Sequence, residues 1–132
     1  MGLGQYVYIT DKKYCDREQG EAFYWSKHNR LQGWMEDLWR RRGETEVFNC
    51  IPLQLTEDDI VELEQAIRSM SLPETKGFFY GVDSYIESVF LGYKTSRDPD
   101  DGMTTWERDL AFVEAAKLAL AEGKRVYYIC SW

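Results

Sequence analysis

A chain of 132 residues, 44% hydrophobic and 15% aromatic, has the length and composition of one globular domain spanning residues 1–132. That length buries roughly two thirds of the unfolded surface, so folding requires no metal or disulfide staple. A net charge of −7 argues against broad binding to a nucleic-acid phosphate backbone, which needs a positive surface; it serves solubility and also suits docking on a basic partner.

In chain order, Gln5 to Thr10 reads as a strand because Tyr6, Val7, Tyr8 and Ile9 are β-formers. A polar connection leads to a helix expected from Glu21 to Arg42. Its inward face is Tyr24, His28, Leu31, Met35 and Leu38, flanked by Trp25, Trp34 and Trp39. Gly33 sits inside that pattern, Gly43 ends it, and Arg40, Arg41 and Arg42 complement the helix dipole. Val47 to Leu55 reads as a strand that Pro52 pushes toward an edge or bulge. Thr56 caps a second helix carrying Ile60, Leu63 and Ile67. Gly77 to Gly81 reads as a short aromatic strand, Asp83 to Tyr93 is strand or helix, and 96–102 is an acidic loop. Thr104 and Glu107 form a capping box for a last helix with Trp106, Leu110, Val113 and Leu120 on one face and Gly123 at its end. Val126 to Cys130 closes the chain as a strand. The fold class expected is α+β, or a small α/β domain, with about three helices on about four strands.

No run of about 18 apolar residues occurs, so no membrane span is expected. The amino terminus shows no secretion signal, and Cys15, Cys50 and Cys130 suit free thiols in a reducing cytoplasm.

Several pieces together resemble a family of small phage and prophage proteins. These begin Met-Gly-Leu-Asp with an aromatic strand, then carry Tyr-Trp-Arg-Lys-x-Asn and a tryptophan. Here the opening is Met1-Gly2-Leu3-Gly4-Gln5-Tyr6, with Gly4 for the family's Asp. The second mark is Tyr24-Trp25-Ser26-Lys27-His28-Asn29, then Trp34, with Ser26 for Arg. Leu72-Pro73-Glu74-Thr75, the stretch Gly77 to Gly81, and Ala121 to Tyr128 closing on Trp132 are further marks. The resemblance touches both termini and the middle and covers Val82 to Thr104 poorly. It implies a viral origin, an intracellular setting in the host cytoplasm, and little chemistry.

Catalytic patterns are weak. The only histidine, His28, falls on an inward face, where a hydrogen-bonded core role outweighs that of a base, and no nucleophile elbow occurs. The cysteines are isolated, so no metal site is expected. Asp98, Asp100, Asp101 and Gly102 miss the calcium-loop spacing. No phosphate-binding glycine motif is present, and no cofactor is expected. The candidate ligand-binding set is Tyr24, Trp25, Lys27, His28, Asn29, Arg30 and Trp34. On a helix, Trp25 shares a side with Asn29, and Arg30 with Trp34. Aromatic faces beside a cation and an amide suit a small planar anionic ligand such as a nucleotide. A helix buried on one side explains the same residues.

Three functions follow as expectations. The first is a non-enzymatic interaction protein of phage origin that binds and inhibits a host protein, such as a component of antiviral defence. The second is a small-ligand binder, or sponge for a nucleotide signal. The third is a small carboxylate-dependent enzyme. Exposed aromatics such as Trp39 and Trp132 would favour a homo-oligomer.

Overall fold

Tyr6, Val7, Tyr8 and Ile9 carry the aromatic and β-branched side chains that suit a pleated surface, and they form the body of β1, Gly4–Thr10. The structure, a computed structural model, describes residues 3–73 and 92–132. β1 pairs antiparallel with β2, Phe23–Ser26, Gly4 lying opposite Ser26 and Val7 opposite Phe23. Its other edge takes the last strand, Arg125–Ser131, Gly4 lying opposite Ser131 and Thr10 opposite Arg125. A short strand, β3, Leu53–Leu55, pairs with the far edge of that last strand, Leu53 opposite Tyr128. With the last strand as β4, the order is β2-β1-β4-β3, antiparallel throughout. Three helices, α1 Asn29–Arg41, α2 Glu57–Arg68 and α3 Thr105–Ala121, pack with this sheet, and the described chain is a small α+β domain.

One face of the sheet holds Val7, Trp25, Val126, Tyr128 and Cys130, which join Leu31, Met35 and Leu38 of α1, Ile60, Leu63 and Ile67 of α2, and Phe112 and Val113 of α3 in the core. Fully burying each aliphatic or aromatic side chain of this kind contributes about 1.5–3 kcal/mol.

The first helix is shorter than its periodicity predicts. Phe23 to Ser26, expected within a helix from Glu21 to Arg42, is a strand. Its period is two: Trp25 is buried and Tyr24 is 46% exposed. Lys27 then takes φ +58°, which interrupts the chain, and α1 starts at Asn29 with His28 as its cap residue. The spacing of Leu31, Met35 and Leu38 does mark the buried face of α1, but Tyr24 is not on it.

The strand expected from Val47 to Leu55 also contracts. Only Leu53–Leu55 pairs as a strand, because Cys50 adopts φ +61° and Pro52 has no N–H to donate. The arginines at the end of α1 do more than balance its dipole. Arg42 pairs with Asp59 and donates to the Gln54 carbonyl, Arg41 lies 3.5 Å from Glu62, and Arg40 donates to the carbonyls of Glu44 and Glu46.

Thr56 caps α2 with Asp59 closing a capping box, and Thr104 with Glu107 does so for α3. Gly123, just past α3, takes φ +81°. The buried stripe of α3 is Asp109, Phe112, Val113, Ala116 and Ala119, whereas Trp106, Leu110 and Leu120, expected on the inward face, are only half-buried. Apolar residues surround most of this helix, so spacing alone leaves its inner face undefined.

Trp39 and Trp132, expected exposed, are not. Trp39 is buried with its ring stacked on Phe48 at 5.0 Å, and Trp132 is part-buried with its indole N–H donating to the Phe48 carbonyl at 2.9 Å. The chain covers them itself. The expected Gly77 to Gly81 strand and nearly all of Asp83 to Tyr93 lie outside the described residues. Among the described residues no helix is long and apolar enough to cross a membrane.

Candidate functional site: a cleft beside His28

The turn from β2 into α1 places His28 at the junction of sheet and helix. Its ring is 6% exposed, and Nε2 lies 2.8 Å from Asp109 Oδ2 on α3. Asp109, 1% exposed, receives two more hydrogen bonds: Trp25 Nε1 donates to Oδ1 at 2.8 Å, and the Tyr93 hydroxyl donates to Oδ2. A carboxylate only accepts, so His28 donates from Nε2, and in the neutral ring Nδ1 keeps its lone pair. Nδ1 has no hydrogen-bond partner among the described residues. Burial, and then the neighbouring Asp109, push the Tyr93 phenol well above its ordinary value, so Tyr93 stays a neutral donor.

The backbone of His28 is held just as firmly. The fully buried Gln5 carboxamide accepts from His28 N–H at 2.8 Å and donates to the His28 carbonyl at 2.9 Å. Gln5 also donates to the Tyr128 hydroxyl, which donates to Gln32, whose amide reaches Cys130 Sγ at 3.2 Å. This chain of buried polar groups crosses the core with its members partnered. At its far end burial pushes the Cys130 thiol up to about 11.

His28 lies on the wall of a cleft of about 660 Å³ between β2 and the segment 96–108, with Phe23, Trp25, Lys27, Arg97 and Arg108 among its neighbours there. The charges of segment 96–108 are largely satisfied within the protein. Arg97 lies 2.7 Å from Glu107, and Arg108 pairs with Asp101 and lies 3.9 Å from Asp98. Glu107 sits below the usual carboxylate range chiefly through the Thr104 backbone N–H, and Asp101 chiefly through that of Met103, with the arginines adding to each. Asp100 makes no ion pair among the described residues.

Of the seven candidate residues, Tyr24, Trp25, Lys27 and His28 line this cleft, and Asn29, Arg30 and Trp34 do not. Trp25 and Asn29 share no helical side, because Trp25 is on β2. Arg30 turns away, donating to the Leu72 carbonyl at 2.9 Å, and Trp34 is buried beside a second hollow that Arg41 and Pro73 border. Arg30 and Trp34 therefore form no part of the cleft. Asn29 is 3% exposed, and its carboxamide has no hydrogen-bond partner among the described residues.

Sequence reasoning misses Asp109, Gln5 and Tyr93. The available signal was an acid on an apolar stripe: Asp109 stands three, four and seven residues before Phe112, Val113 and Ala116. Gln5 had none, since one glutamine in a strand predicts nothing.

Chemically, the site offers an imidazole held in one orientation on a part-apolar wall. No Ser, Thr or Cys is hydrogen-bonded to His28 among the described residues, so the pair has no activated nucleophile there. Comparison with protein families, curated proteins and solved structures returns no match.

Proposed function

We propose that the protein is a small-molecule binder whose ligand occupies the cleft between β2 and the segment 96–108. The observation that carries this reading is His28, a residue of the cleft wall: a buried imidazole, clamped through Asp109 and Gln5, whose Nδ1 has no hydrogen-bond partner among the described residues. Convergent polar groups on a concave, part-apolar surface are the usual form of a ligand site. Backbone strain at Lys27 in the same wall agrees, because such strain gathers at ligand-binding turns. Native mass spectrometry of gently purified protein tests the reading. A retained non-covalent mass supports it, and loss of that mass on cleft-filling Ser96→Trp places the ligand. A mass that persists in Ser96→Trp refutes the cleft as its site.

A second reading, the inhibitor of a host protein in the host cytoplasm, gains support from the face of the sheet opposite the one that joins α1, α2 and α3 in the core. Tyr6 and Tyr24 neighbour there across β1 and β2 with ring centroids 5.2 Å apart, and Tyr8 follows on β1. Tyrosine is enriched at protein interfaces. If this face carries the activity, Tyr24→Ala abolishes capture of a specific host protein that wild-type chain retains. Equal capture by both proteins counts against it.

A further inference from the structure

The identity of a cleft ligand is constrained by charge and by hydrogen-bond direction, and both point away from the anion that the residue types suggest. This inference rests on the ligand-binding reading above. With Nε2 donating to Asp109, the neutral imidazole accepts at Nδ1, and in that form it asks for a ligand N–H or O–H. Gln5 grips His28 on both backbone groups and Tyr93 packs 5.7 Å from its ring, so the acceptor is fixed before any ligand arrives.

The cations on the wall offer an anion little. Arg97 and Arg108 are bound to Glu107, Asp101 and Asp98, and Lys27 is likewise engaged. Asp100, which makes no ion pair among the described residues, stands on the same wall and repels a phosphate. The apolar part of the wall includes Ala22, Met103 and Phe23, which is half-buried and nearly parallel to Trp25 at 6.1 Å.

We propose that the cleft takes an uncharged heteroaromatic molecule bearing N–H or O–H donors, of the nucleoside class, and discriminates against its phosphorylated form. One donor of the ligand bonds to His28 Nδ1, and its ring lies along Phe23.

Because His28 is the only histidine, nitrogen-detected NMR of labelled protein shows one imidazole. The test titrates the full chain at fixed neutral pH with adenosine, cytidine, guanosine and uridine, and then with the 5′-monophosphate of each. The expected result is a shift of the His28 Nδ1 resonance by at least one nucleoside, with the matching monophosphate binding about five-fold or more weakly. Ser96→Trp, which fills the cleft mouth away from the buried network, removes the shift. A monophosphate that binds as tightly as its nucleoside overturns the proposed class while leaving the cleft as a ligand site. A shift that survives Ser96→Trp overturns the location. If no nucleoside moves the resonance although native mass spectrometry finds a retained ligand, the class is wrong and the binder stands. If neither experiment shows a ligand, both readings fall.

Discussion

Replacing Asp109 by alanine removes the acceptor for three buried donors: the Trp25 indole, the His28 imidazole and the Tyr93 hydroxyl. Each buried donor left without a partner costs about 1–3 kcal/mol. The three differ in how they adapt. The tyrosine hydroxyl can rotate and the imidazole can move its hydrogen to Nδ1, whereas the indole N–H is a donor in every state. The expected loss for Asp109→Ala is therefore about 3–5 kcal/mol rather than the full sum, against a typical domain stability of about 5–15 kcal/mol. Asp109→Asn keeps the shape and makes a sharper test. Trp25 requires an oxygen at the Oδ1 position, so the amide nitrogen falls at Oδ2 and donates to His28 and Tyr93. His28 must then carry its hydrogen on Nδ1, and the stability loss falls to about 1–2 kcal/mol. Urea unfolding followed by tryptophan fluorescence reads the energies, and the single imidazole in NMR reads the tautomer. A loss for Asp109→Ala within about 0.5 kcal/mol, the range of an ordinary surface change, refutes the three-donor arrangement, as does an asparagine variant whose His28 keeps its hydrogen on Nε2.

Other consequences follow from single features. Gly123→Ala costs about 1–2 kcal/mol in thermal or urea unfolding, because φ +81° is strained for any residue with a Cβ even though no atom lies within 4 Å to clash. Thr104→Ala removes the cap of α3 and lowers stability by about 1 kcal/mol, and Thr104→Ser keeps most of it. In native protein at neutral pH, iodoacetamide labels exposed Cys50 and spares Cys130 until urea unfolds the chain, since burial holds that thiol protonated up to about 11. The Cys130 thiol stabilises the fold below the ordinary cysteine value of 9.0, and this contribution is lost as pH rises through about 11. Glu64 has the opposite sign. Lys117, and then Arg68, hold its carboxyl below the ordinary 4.5, so the stability it contributes is complete above that pH and is lost as pH falls through the lowered value. Glu64→Gln accordingly flattens the acid limb of the stability curve below pH 4.5, and an unchanged limb contradicts the pairing.

The elements with strong local signals were legible in the sequence. β1 and β4 stand where their β-branched and aromatic residues put them, and α2 and α3 start at the Thr56 and Thr104 capping boxes. Their number and order left α+β and a small α/β fold open, and the antiparallel pairing of every strand decides for α+β. The candidate site was half legible. His28, Lys27, Trp25 and Tyr24 do come together at a cleft, but as a strand, a turn and a cap rather than as one helical face. Phe23 to Trp25 supports either period over so few residues, and only pairing with β1 settles it.

By itself the sequence determined what is local: the caps, the ends marked by Gly43 and Gly123, and the apolar stripes of α1 and α2. Tertiary structure alone decided that Asp109, 81 residues from His28, is the group that orients it, and that Gln5, 23 residues away on a neighbouring strand, holds its backbone. It also decided that the arginines beside the cleft are paired with Glu107 and Asp101. The reason is physical. Caps, turns and periodic faces are set by interactions within a few residues, whereas a buried hydrogen-bond network takes its partners from whichever distant elements the packed core brings within 3 Å.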